Sequence, residues 1–147
     1  MRTLLFTLFF SFILIVLTFR NTQDNNIGCE SNIDIVSYQN QAIAHLNIIF
    51  TIDNKKGWAS IKGVVEKEEK EFKIDRKIYF NVNKIKDSYN LESTQIINND
   101  KNTDDQINSL LPVIYSKEKT KRPMYIFKQS DGGYLFSNSN IYTFYCR

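Results

Sequence analysis

Phe72-Lys73-Ile74-Asp75-Arg76-Lys77-Ile78-Tyr79-Phe80-Asn81-Val82 decides how this chain folds. Phe72, Ile74, Ile78, Phe80 and Val82 fall at every second position, and the residues between them are charged or polar at one end. A period of two sorts side chains onto two faces of a β-strand, whereas on a helix the same residues would scatter around the cylinder. Arg76 breaks the apolar face. A buried guanidinium needs a carboxylate or a ligand anion beside it, and the other reading is an arginine near the rim of a barrel.

The same alternation spreads in both directions. Upstream, Ala44, Leu46, Ile48, Phe50 and Ile52 share one face of a long strand. Asn54-Lys55-Lys56-Gly57 supplies a turn, Trp58 to Val65 returns, and Lys67 to Lys70 forms a charged turn. Downstream, Tyr89 to Ile97 reads as a strand with Leu91 inside. A polar loop extends from Asn98 to Thr103. Thr103 can cap a short helix with Asp104, Asp105 and Gln106 in its first turn, Ile107, Leu110 and Leu111 as its buried stripe, and Pro112 as its limit. Met124 to Gln129 and Tyr134 to Ser137 flank Ser130-Asp131-Gly132-Gly133, a hairpin signal, and Ile141 to Cys146 is the last strand. The sum is an all-β domain: seven or eight antiparallel strands and one short helix, in a meander that curls into a barrel or half-barrel. Barrels of about eight strands either hold one small ligand or fill with side chains, and both remain open here.

Residues 1–20 differ from all this. From Thr3 to Phe19 there are 17 residues without a charge, bracketed by Arg2 and Arg20 and relieved only by Thr7, Ser11 and Thr18. That is the lower limit for crossing a hydrocarbon core about 30 Å thick, and soluble helices carry a polar face that this stretch lacks. No small-x-small cleavage site comes after it, so the reading is an uncleaved signal anchor, a transmembrane helix, with a cleaved signal as the alternative. Charge before the segment favours a short N-terminus inside. Residues 21–28 then form a polar tether, and residues 29–147 the β domain, held outside the cytoplasm.

Arg2 and Arg20 account for two of the 19 basic residues, which leaves 17 against 16 acidic ones in the domain. A nearly balanced domain without clustered Lys and Arg argues against a nucleic-acid partner. Cys29 and Cys146 are the only cysteines, 117 positions apart. An even count in an exported chain suggests a disulfide, with two separate buried thiols as the alternative. Neither thiol stands at a zinc spacing with the lone His45, which lies mid-strand opposite the apolar face. No phosphate loop, nucleophile elbow or paired-histidine motif occurs. The expectation is therefore no enzyme, no cofactor and no metal. The aromatic C-terminus, with Tyr125, Phe127, Phe136, Tyr142, Phe144 and Tyr145, suits a core or a protein interface.

The layout resembles the FidL-like membrane proteins of bacteria, which include the YqeJ type. The likeness rests on the N-terminal span with a cysteine soon after it, on Leu110-Leu111-Pro112 with Tyr115, and on three C-terminal stretches. These are Met124-Tyr125-Ile126-Phe127, Asp131-Gly132-Gly133-Tyr134-Leu135-Phe136 and Phe144-Tyr145-Cys146. By wider analogy the chain is similar to the ToxS, VtrC and PsaF accessory proteins, whose periplasmic domains are lipocalin-like. The resemblance implies an accessory protein that binds a ToxR-like membrane-bound transcription regulator through its periplasmic domain. It would stabilise or gate that regulator, and a bile acid or lipid is the implied signal. No ligand-binding residue carries over. A stand-alone periplasmic carrier of a small apolar ligand and a fibre-assembly chaperone are the other functions compatible with an exported β domain.

Overall fold

The computed structural model describes residues 26–86, 88–99, 108, 110–138 and 141–147. Eight strands succeed one another: β1 (Ile27–Ser37), β2 (Ala42–Asp53), β3 (Lys56–Lys67), β4 (Lys70–Ile85), β5 (Ser88–Asn98), β6 (Lys121–Lys128), β7 (Tyr134–Asn138) and β8 (Ile141–Cys146). Each pairs antiparallel with its neighbour in sequence, so the sheet runs β1 to β8 without a crossover. Curling brings β8 back to β1, and the result is a nearly closed barrel.

The alternation in the sequence becomes the two sides of the barrel wall. Phe50, Ile52, Ala59, Ile61, Ile78, Phe80 and Leu91 are fully buried inside, while Asn47, Lys62, Lys73 and Asn83 face water. Aromatic rings span the interior: Phe50 meets Phe136 edge-on at 4.9 Å, Phe136 stacks on Phe144 at 4.4 Å, and Phe80 meets Tyr115 at 6.3 Å. These contacts link β2 to β7 and β8, and β4 to Tyr115 in the β5–β6 connection, and side chains fill this part of the barrel. Burying whole Phe and Ile side chains contributes roughly 1.5–3 kcal/mol each before the entropy of ordering is subtracted.

Strand β1 begins at Ile27, so the last residues of the expected tether belong to the barrel wall. The short helix expected from Thr103 falls mostly outside the described residues. Beyond it, Pro112 leads into a 3-10 turn at Val113–Tyr115, which buries Ile114 and Tyr115. The anchor at 1–20 and residues 21–25 also lie outside the described residues, and among the described ones no helix is long and apolar enough to cross a membrane.

The turns carry their own strain. Glu68 and Glu69, between β3 and β4, both have positive φ, 51° and 60°, the left-handed geometry that a two-residue hairpin demands and that Asn and Gly supply more cheaply. Gly63, in the middle of β3, sits against the carbonyl of His45 so closely that a Cβ there would overlap it.

Candidate functional site

The place where the sheet meets itself is the least regular part of the wall. Glu30 and Arg147 exchange both backbone hydrogen bonds, 2.9 and 3.0 Å. Immediately inside, Cys29 and Cys146 form a disulfide with Cα atoms 5.4 Å apart. The expected pairing of Cys29 with Cys146 is thus a clamp at one end of the barrel, and both residues are buried. The next rung does not form: among the described residues β1 and β8 share no ladder, and the Tyr145 carbonyl instead accepts the Ser31 hydroxyl at 2.6 Å.

Antiparallel pairing turns alternate residues toward each neighbour. Glu30 faces β8, so Asn32, Asp34 and Val36 direct their N–H and C=O groups to the same side. Their odd-numbered neighbours bond to β2 in a register that pairs Ile33 with Leu46 and Ile35 with Ala44. Ile33 and Ile35 are only partly buried, and Val36 is 54% exposed. The outside of this edge is polar: Asp34 Oδ1 lies 2.7 Å from His45 Nδ1, and Asn47 donates to Glu30 and Asn32. His45 therefore faces outward beside the seam, in an exposed pair with Asp34. Charged side chains along an edge are a usual device against indiscriminate strand pairing.

Arg76 is a correction. It is not at the rim but 1% exposed, and its Nη1 donates to Asn108 Oδ1 at 2.7 Å. Two further buried polar groups carried no sequence signal. Ser93 donates to the Lys117 carbonyl at 2.8 Å and accepts from the Thr120 N–H at 3.1 Å, which fastens the long connection onto β5. Tyr115 is buried with its hydroxyl lacking a partner among the described residues. Burial pushes its pKa up to about 12, with nearby Arg122 acting the other way.

A surface concavity of about 570 Å3 includes Thr51, Trp58, Tyr79 and Gln95, and Lys77 caps both aromatic rings at 4.7 and 5.3 Å. Among the described residues no group of three or more His, Cys, Asp and Glu side chains could hold a metal ion.

Fold and seam define a class: a small, disulfide-clamped, up-and-down β-barrel with one unzipped edge. Residues 26–146 match the YqeJ C-terminal domain, and the chain belongs to that family. No curated protein and no solved structure matches it.

Proposed function

We propose that this barrel is the periplasmic half of a two-protein regulatory unit, an accessory protein held in the bacterial inner membrane by its N-terminal span. Its partner is a ToxR-like membrane-bound transcription regulator, whose periplasmic domain would lay an extended strand along β1. The observation that carries this reading is the seam: one rung between Glu30 and Arg147 and the Cys29–Cys146 bond close it, and among the described residues the edge from Asn32 to Val36 has no ladder beyond them.

An added strand would satisfy the N–H and C=O groups of Asn32, Asp34 and Val36, and the partly buried Ile33 and Ile35 would select its apolar side chains. The resemblance to FidL-like proteins supports the choice of partner, and the uncharged run from Thr3 to Phe19 with the disulfide supports the compartment. A bile acid or lipid would act here by favouring either the open or the paired seam, and it can shift that balance only by as much as it prefers one form.

Asp34→Pro tests the idea, because the N–H it removes faces the seam and edge positions tolerate proline best. Wild type, solubilised from membranes, should bring down a winged-helix regulator with one membrane span, and Asp34→Pro should lose it while melting within a few degrees of wild type. Equal recovery of the regulator by a folded Asp34→Pro protein would exclude the seam. A monomer that retains lipid and no regulator would favour the carrier function instead.

A further inference from the structure

One end of the barrel is rich in lysine. The register Ile27 to Ile52, Ile85 to Ser88 and Lys128 to Tyr134 gathers the start of β1, the β2–β3 turn, the β4–β5 turn and the β6–β7 hairpin at one end. Lys55, Lys56, Lys84, Lys86 and Lys128 are all exposed there, against Asp53 and Asp131, with Asp87 next to Lys86 in sequence. At the opposite end, the β3–β4 hairpin carries Glu66, Glu68, Glu69 and Glu71 with Lys67 and Lys70.

Apolar side chains stand among the lysines. Ile85, between Lys84 and Lys86, is 56% exposed, and Phe127, beside Lys128, is 42% exposed. Phe127 stacks on Tyr125, itself 37% exposed, with ring planes 7° apart. Lysines flanking exposed Ile and Phe, with a tyrosine alongside, are the composition of a surface that sits in a lipid headgroup layer. Lys55, Lys56 and Lys84, with Asp53, Asn54 and Asn83, also border an open concavity of about 560 Å3, where three lysines outnumber one carboxylate.

Chain length brings this end to the bilayer. Seven residues, 20–26, separate the apolar run from β1, and fully extended they reach at most about 25 Å. We infer that the lysine-rich end of the barrel, with Ile85 and Phe127 at its tips, rests on an anionic phospholipid surface. This rests on the membrane-anchored reading above. The contact would fix the barrel axis upright and turn the glutamate-bearing end away from the bilayer. It would also leave the β1–β8 seam standing along the side of the barrel, where a membrane-tethered partner could approach it.

Vesicles test this with the full chain. Cys29 and Cys146 are joined, so Ile85→Cys provides a single free thiol for an environment-sensitive fluorophore. In phosphatidylcholine vesicles containing phosphatidylglycerol, the label should gain severalfold in emission and shift to the blue relative to phosphatidylcholine alone. The gain should vanish as salt rises from about 0.1 M to about 1 M and the screening length falls from about 10 Å to about 3 Å. Lys55→Gln, Lys56→Gln, Lys84→Gln and Lys86→Gln together should abolish it, while Lys67→Gln with Lys70→Gln at the far end should not. A chain that floats with the vesicles in high salt while its label ignores phosphatidylglycerol overturns the lipid contact and spares the anchor. A chain that fails to float overturns both.

Discussion

Glu30 and Arg147 exchange two backbone hydrogen bonds, whereas Asn32 and Tyr145, the adjacent rung, form no ladder. The barrel is therefore clamped beside the Cys29–Cys146 bond, and among the described residues no ladder continues from there along β1 and β8. A disulfide that closes a loop of this length contributes about 4–5 kcal/mol in the chain-entropy model, and losses of about 2–5 kcal/mol are typical when a native one is removed.

Cys146→Ser should accordingly lower the melting temperature of the oxidised protein by on the order of 10 °C, and reductant should bring wild type to the same value. Amide exchange at Glu30 and Arg147 should accelerate more than exchange at β3. Coincident melting curves for oxidised wild type and mutant would show that the clamp contributes nothing to stability.

Tyr115 makes a prediction whose sign is set by linkage. Its pKa is about 12 in the fold and near 10 when unfolded. Below pH 10 the hydroxyl is protonated in both states and adds no pH dependence. Between about 10 and 12 the unfolded chain releases the proton and the folded one keeps it, so stability falls as pH rises, by on the order of 2–3 kcal/mol. Tyr115→Phe should flatten that alkaline decline. Near neutral pH it should be neutral or stabilising by about 1 kcal/mol, because it removes a buried hydroxyl without a partner among the described residues. Denaturant titrations of both proteins at neutral and alkaline pH measure the difference.

Tyr145 donates its hydroxyl to Asp131 Oδ2 at 2.5 Å, across from β8 to the β6–β7 hairpin, and Gly133 lies beneath the ring where a Cβ would overlap it. That bond, and the Gly133 N–H donated to Oδ1, hold the Asp131 carboxyl below its usual range. A depressed carboxylate stabilises the fold above its unfolded pKa and ceases to do so as pH falls through the folded one. Acidification should therefore loosen this hairpin selectively, and Asp131→Asn should do so at neutral pH. Exchange of the Gly133 amide at successive pH values provides the readout.

Glu68 and Glu69 occupy left-handed conformations that suit neither residue. Replacing them with Asn-Gly should stabilise the protein by on the order of 1 kcal/mol, given the left-handed penalty of roughly 1–2 kcal/mol per residue. No change in the denaturation midpoint would mean that the turn relaxes in solution.

Much of the wall was legible from alternation alone. The strands around Phe50, Ile61, Ile78 and Leu91 appear where the period of two places them, and the Ser130-Asp131-Gly132-Gly133 hairpin obeys its turn chemistry. β1 was less visible, because Ser31 interrupts its apolar face and the turn after it, Tyr38-Gln39-Asn40-Gln41, contains neither Gly nor Pro. The choice between a buried and a rim Arg76 was not decided locally, because its partner Asn108 is 32 positions away. The seam was out of reach for a further reason. Whether β8 zips onto β1 depends on the accumulated stagger of every preceding strand, including the bulges at Tyr79/Phe80 and Phe136/Ser137, and no local pattern encodes that sum.

The strictly sequential pairing of the strands has a consequence for how the protein is made. Each hairpin can form as the chain emerges, since its partner strand has always just appeared. Cys29 is among the first residues of the domain to arrive and Cys146 among the last, so the pair cannot form until the whole domain has been made. The fold then holds the two Cα atoms 5.4 Å apart, and the finished barrel favours a bond that an incomplete chain cannot make.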